Sequence, residues 1–418
     1  MKKYIYTILF LILLFVIILV GFKEFRIYIL KPIRVEKAGI IKSLNAPYIK
    51  LHIPKLTQNK FDLIYSKYPN GSSADQYKTG QYEKFVKYLN ENNKWENAKL
   101  EYFDKTYNIS VKIHGKTPSQ HIENKHYSLG VKVLDNKKIN GVSRFNLIVY
   151  WRIRYNTDII KYLSEKLDIY FKGNILTKVQ VNNKPLKLYF FEFRADKDYF
   201  SKTNLIALKY KSDHSLIYTG GDLAPWDKKL KKSIKKMNLN DSLKELIYEK
   251  YSSLNKAIFA GDTKKTLSYF DIDYLAKIQA FRYLFGDNGH GFADDNLLAA
   301  FNTRNHKFYP FVHRDNSPHN FSGPPKIDGK FSGSDIIGIA SPLFRTISES
   351  KLLAEKTKNY LTKILKSNII KISDIDSIIQ THNSYYYSSD LKQILNFQPD
   401  HQSTINIRKL ISNFKNTN

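Results

Sequence analysis

The chain has no cysteine. Disulfides and thiolate metal sites are therefore excluded, and the redox compartment leaves no trace in the sequence. Acidic residues are scarce: 38 Asp and Glu stand against 67 Lys and Arg, a net charge of +29 over 418 residues. A balance of that sign favours acidic partners such as phosphate, anionic lipid, acidic glycan or nucleic acid. The lysines are spread along the whole chain among Asn and Ile, however, which is a composition bias more than a local site. No internal repeat is present, and no RNA- or DNA-binding motif accompanies the densest basic run, KKLKKSIKK at 228–236. That run reads as a solvated helical face, and nucleic acid is not an expected partner. The 30 Tyr and 26 Phe argue against disorder and supply a real core.

Residues 4–22, YIYTILFLILLFVIILVGF, carry no charge and are long enough as a helix to cross a bilayer of about 30 Å. No A-x-A-like cleavage site follows, so the stretch reads as a retained single-pass anchor and not as a signal peptide. A membrane location follows, with a juxtamembrane linker over 23–46. Lys23, Arg26, Lys31, Arg34 and Lys37 behind the span outnumber Lys2 and Lys3 before it. That count leans toward a cytoplasmic C-terminal domain, whereas an uncleaved signal-anchor with so short a tail gives the opposite side.

Periodicity then predicts a strand at Tyr48–Ile53, a helix from Gln81, and strands at Ala98–Phe103, Tyr107–His114, Tyr127–Leu134 and Phe145–Tyr150. Together they make an antiparallel sheet with a basic edge of Lys112, His114, Lys116, Lys125 and Lys132. A helix at Asn156–Leu167 and a hairpin over 176–193 follow. Glu192 interrupts the aromatic strand YFFEF; it either faces solvent at period two or is buried at a cost that demands a partner. Amphipathic helices are expected at 241–260 and 271–285, and more from Ser341 to the end, broken near 367–373 and 382–389.

Chemistry concentrates in FRYLFGDNGHGFADDNLLAAFNTRNHKFYPFVHRDN, residues 281–316. Asp287, His290, Asp294, Asp295, Asn296, His313 and Asp315 alternate there with two apolar runs, 297–301 and 308–312. Carboxylate and amide oxygens at the ends of short strands suit a hard cation such as Mg²⁺. Asp and Asn also make turns in loops.

The order of these features resembles the spore coat protein H (CotH) kinase-like family. The resemblance runs over about residues 47–390, through ISVKIHGKT (109–117), KHYSLGVKV (125–133), SRFNLIVYWRIRYNTDIIKYLSEKL (143–167), VNNKPLKLYFFEFRADKDYF (181–200), the 287–315 cluster and IASPLF (339–344). It implies an α+β, atypical protein-kinase-like fold. A mixed or antiparallel sheet and a helical C-terminal part would follow the one transmembrane helix, with the kinase-like domain over 47–345 and a helical region over 346–418. It implies phosphate transfer from ATP, with Mg²⁺ or Mn²⁺, to a hydroxyl of a protein or glycan. Asp287 or Asp295 would be the catalytic carboxylate, and Asn296 and Asp315 the metal ligands. Lys132 or Lys125 would contact phosphate, with Glu192 and Arg154 in the same network. The chain departs from the family at several points. NG separates Asp287 from His290, FADD precedes Asn296, PFVHRD replaces P-W-D-x-D, and Asn183 stands where the family has Gly. The alternative is thus a catalytically inactive CotH-like envelope or binding protein. Oligomeric state is not legible.

Overall fold

The computed structural model describes residues 46–68, 79–115, 122–123, 126–149, 156–171, 173–194, 204–209, 239–285, 298–312, 343, 346–347, 349–386 and 407. Its first half opens with strand β1 (Tyr48–His52) and helices α1 (Lys55–Ser66) and α2 (Gln81–Asn92). Strands β2 (Glu96–Tyr102) and β3 (Lys105–Ile113) form a hairpin. Phe103 and Asp104 take positive φ in its two-residue turn, a conformation matched to the twist of the flanking strands. Two-residue strands β4 (Ile122–Glu123) and β5 (His126–Tyr127) precede β6 (Leu129–Val133) and β7 (Arg144–Val149). Helix α3 (Asn156–Leu167) leads to the hairpin β8 (Asn174–Val181) and β9 (Lys187–Phe193).

Seven of these strands close into a barrel in the order β1-β2-β3-β6-β7-β9-β8. Ile49, Leu51, Leu100, Ile109, Val111, Leu129, Val131, Phe145, Leu147, Val179, Tyr189 and Phe191 alternate inward and form its core. Phe145 stacks on Phe191, and Phe61 and Tyr65 of α1 pack on Tyr127.

A second core is built from α3 and the later elements. These are β10 (Leu205–Lys209), α4 (Asp241–Phe259), α5 (Thr263–Ser268), α6 (Ile272–Phe285), β11 (Leu298–Asn302), β12 (Phe308–Phe311), α7 (Lys351–Lys366) and α8 (Ile372–Tyr386). Asp271 caps α6 by accepting from Tyr274 N at 2.9 Å, as Asn240 caps α4 by accepting from Leu243 N at 2.8 Å. The β10-β11-β12 sheet docks through bridges from Phe308 to Phe270 and from Val312 to Phe171.

Two expectations are overturned. The expected kinase-like fold with a mixed or antiparallel sheet gives way to a closed barrel. Strand β1 pairs antiparallel with β2 and parallel with β8, so both edges of the sheet are consumed. Its partner residues on β8 lie some 130 positions away (Ile49 pairs with Val179), and no local pattern announces such a pairing. The expected basic edge does not exist either. Lys112 and Lys132 sit on interior strands of the barrel wall and point from its face.

The membrane location and the transmembrane helix are corrected as well. No helix among the described residues is long and apolar enough to cross a membrane. The 19-residue α4 has the length, but Asp241, Lys244, Glu245, Glu249, Lys250 and Lys256 interrupt it. The stretch 4–22 lies outside the described residues.

Candidate functional site

Alternation along each barrel strand sends one set of side chains into the core and the other outward. On β3, β6, β7 and β9 the outward set includes Ser110, Lys112, Lys132, Arg144, Asn146 and Glu192, beside apolar Ile148, Leu188 and Phe190. Register aligns the polar members into two adjacent rows. In the first, Ser110 lies opposite Lys132, and Lys132 opposite Arg144. Phe145 pairs with Phe193, so Arg194, the next residue beyond β9, continues this row past Arg144. In the second row, Lys112 lies opposite Gly130, Gly130 opposite Asn146, Asn146 opposite Glu192, and Glu192 opposite Asn174 of β8.

The first row is cationic across three neighbouring positions. Like charges directly opposite on paired strands destabilise a sheet. No ion pair holds Lys112, Lys132, Arg144 or Arg194 among the described residues. Burial lowers the pKa of the Lys112 ammonium, and the positive charges of Arg194 and Arg144 lower it further. Its Nζ lies 4.8 Å from the centroid of the Trp95 ring, a cation–π contact that offsets part of the lost hydration. Gly130 carries no side chain between them; a Cβ there would touch Lys112 Cγ and the Trp95 edge, each at 3.6 Å.

Beyond Lys112 and Gly130 the second row, Asn146, Glu192 and Asn174, is polar and buried. Glu192 is 1% exposed, and its Oε2 accepts from Asn146 Nδ2 at 2.5 Å. The carboxylate that alternation assigns to the outside is thus also buried, and one amide of the neighbouring strand supports it. Asn174 is 6% exposed, and neither atom of its amide has a hydrogen-bond partner.

Of the proposed catalytic, phosphate-binding and metal-binding residues, Lys132 and Glu192 fall on this face. They lie two strand spacings apart, about 10 Å laterally, with one pleat repeat between their rows. Lys125, Arg154, Asp287, Asp295, Asn296 and Asp315 lie outside the described residues. Elements before and within the 287–315 cluster are described: α6 ends at Phe285, and β11 and β12 form an antiparallel hairpin in which 299–301 and 308–311 are buried. Near the end of α6, buried Arg282 donates from Nη1 to Gln279 Oε1 at 2.8 Å. Among the described residues no group of three or more His, Asp or Glu is placed to hold a metal ion.

Arg144, Arg194, Asn146 and Asn174 escaped the sequence reading. Their signal was there: Arg144 and Asn146 flank Phe145, as Glu192 and Arg194 flank Phe193, a period-two pattern that puts each pair on one face. Only the register brings the pairs together.

No protein-family model matches the chain, and no curated protein is significantly similar to it. Among solved structures, one described as "Structure of the open conformation of CtTel1" aligns with 86% of this chain and 14% of that chain, at 11% identity and a TM-score of 0.29. The chain therefore spans about a seventh of that protein's length, and a likeness of that degree establishes neither fold nor function.

Proposed function

We propose that the outer face of the barrel binds the phosphates of ATP, and that the protein transfers the terminal phosphate to a hydroxyl of a protein or glycan. The observation that carries this reading is the row Lys132–Arg144–Arg194, three cations side by side with no ion pair among them. Such a row opposes folding until an anion sits on it. Guanidinium groups bind phosphate oxygens in bidentate fashion, and an ammonium supplies a point charge beside them. Phosphoryl transfer asks a protein chiefly for positioning and for neutralisation of charge on the transferred group, and such a row can supply both. The resemblance to the CotH family supports the same chemistry from the sequence. It implies Lys132 or Lys125 as the phosphate contact, and Asn296 and Asp315 as the residues for a divalent cation.

The test is calorimetric titration of the full chain with ATP and with inorganic tripolyphosphate, followed by ATP turnover with Mg²⁺ or Mn²⁺. Lys132→Ala and Arg144→Ala should each weaken both ligands by about 10-fold to 100-fold, equal to roughly 1.4–2.8 kcal/mol. Asp315→Ala should stop turnover and leave tripolyphosphate binding in place. Failure of the wild-type chain to bind either ligand would sink the reading. Binding without turnover would point to the inactive binding protein instead.

A further inference from the structure

We infer that a cavity beside Lys132 is the acceptor site and that it takes a sugar carrying a carboxylate, a uronic acid; this rests on the phosphotransfer reading above. The cavity measures about 570 Å³ and lies against the wall formed by β1, β2 and β3. Small-molecule sites run from about 300 to 1,000 Å³, so a disaccharide fits. Register supplies its side chains. Lys99 lies opposite His52 on one side and Asn108 on the other, and Asn97 lies opposite Ser110. Ser110 is opposite Lys132, so the cavity begins where the cationic row ends. The chain leaving β6 closes the same side. Leu134 N donates to Asn108 O at 2.9 Å, and alternation puts Leu134 on the outward face, two residues or about 7 Å beyond Lys132. A hydroxyl held in this cavity lies at the edge of the phosphate row.

The lining suits a sugar. Asn97, Lys99, Asn108 and Asp135 are exposed along the wall. Asn108 Nδ2 donates to Asp135 Oδ2 at 3.0 Å, which joins an amide and a carboxylate into one held pair. The pair keeps a second amide proton and further acceptor oxygens, and Asn97 adds another amide. A sugar hydroxyl donates and accepts at once, and such a set answers both. Pro54 and Leu134 give an apolar floor for the C–H face of a pyranose ring. Lys99 sets the charge of the ligand. No ion pair holds it among the described residues, and Glu101, two residues along β2, is occupied by His52 and by Lys50 at 3.6 Å. An ammonium so placed pairs with a carboxylate of the ligand. A serine side chain offers a single hydroxyl and leaves the amide pair and Lys99 unmatched. In the transfer, the sugar oxygen bonds to the terminal phosphorus as the bond from that phosphorus to the ADP oxygen breaks. The hydroxyl proton passes to an oxygen of the transferred phosphate, which leaves ADP and a sugar phosphate.

The experiment titrates the full chain by calorimetry with cellobiouronic acid, cellobiose and a serine-containing pentapeptide, each with and without inorganic tripolyphosphate. The wild type should bind cellobiouronic acid about 10-fold more tightly than cellobiose, the worth of one hydrogen bond to a charged group, and should still bind it when tripolyphosphate is present. Lys99→Ala should erase that preference. Asn97→Leu should weaken both sugars by about 10-fold, a lost hydrogen bond. Both variants should bind tripolyphosphate as the wild type does, and thermal melts confirm that these exposed substitutions leave the fold intact. Equal wild-type affinity for the two sugars, or a preference that survives Lys99→Ala, overturns the inference. Binding of the serine peptide in place of the sugars overturns it in favour of a protein acceptor. Tripolyphosphate binding without sugar binding overturns the inference and leaves the phosphate reading standing. Sugar binding without tripolyphosphate binding sinks the phosphate reading and keeps the cavity as a sugar site. A wild type that binds none of these ligands overturns both.

Discussion

Glu192 stands in an aromatic strand at a position that points away from the barrel core, yet it is 1% exposed. A carboxylate there depends on its hydrogen bonds, and Asn146 supplies one that the structure resolves. Replacing Asn146 by Ala leaves the carboxylate short of a donor, which should cost about 1–3 kcal/mol in urea unfolding. Arg144→Glu should act in the opposite sense. It removes a like charge opposite Lys132 and puts an acid in its place, so stability should rise by roughly 0.2–1 kcal/mol while tripolyphosphate binding is lost. A variant that is more stable yet no longer binds is the signature of a residue kept for its ligand. If Arg144→Glu loses stability, the cationic row is already compensated and the site argument weakens. At this scale the sequence exposed Lys132 and Glu192, because each is a charge in an otherwise apolar strand. It hid Asn146 and Asn174, ordinary amides until register sets them beside Glu192.

Local elements were largely legible, since their signals are local. The helix over Asn156–Leu167 shows its face in Ile159, Ile160, Leu163 and Leu167, all buried. The hairpin at the heart of the acidic cluster lies within a residue of where its apolar runs put it. Helix α1 was missed because Pro54 reads as the end of a strand. Behind it, Thr57, Phe61, Ile64 and Tyr65 carry a helical spacing diluted by Lys, Gln and Asn. Barrel closure was illegible for a different reason. It depends on β1 lying parallel to β8, a contact between segments about 130 residues apart. That closing strand can be tested alone. Leu51 is fully buried between β2 and β8, and Leu51→Ala should cost about 2–5 kcal/mol and speed amide exchange in β8. A loss under about 1 kcal/mol would mean that β1 is not part of a packed core.

Across the whole molecule, charge and aromatic content make separate claims. The +29 charge is spread too widely to mark a site, and only the register of four strands selects Lys112, Lys132, Arg144 and Arg194 from it. The tyrosines, by contrast, report on folding. Burial pushes Tyr162 and Tyr360 up from an ordinary value of 10.0 to about 12. Burial also raises Tyr65, Tyr170, Tyr274 and Tyr309. Tyr274 is held at both ends of its hydroxyl, accepting from Tyr170 N at 3.0 Å and donating to the Pro310 carbonyl at 2.8 Å. In the unfolded chain these phenols lose their protons near pH 10; in the folded chain they keep them. Between those values the unfolded state binds fewer protons than the native state, so stability falls as pH rises. The protein should therefore hold any stability owed to these groups below about pH 10 and lose it progressively toward pH 12. Because the groups belong to both cores, the loss should appear as one cooperative shift. Melting temperatures taken from pH 8 to 12, with phenolate absorbance followed in parallel, check this. If all 30 tyrosines ionise near pH 10 in the still-folded protein, these hydroxyls are open to solvent, which would overturn the packing around Tyr274.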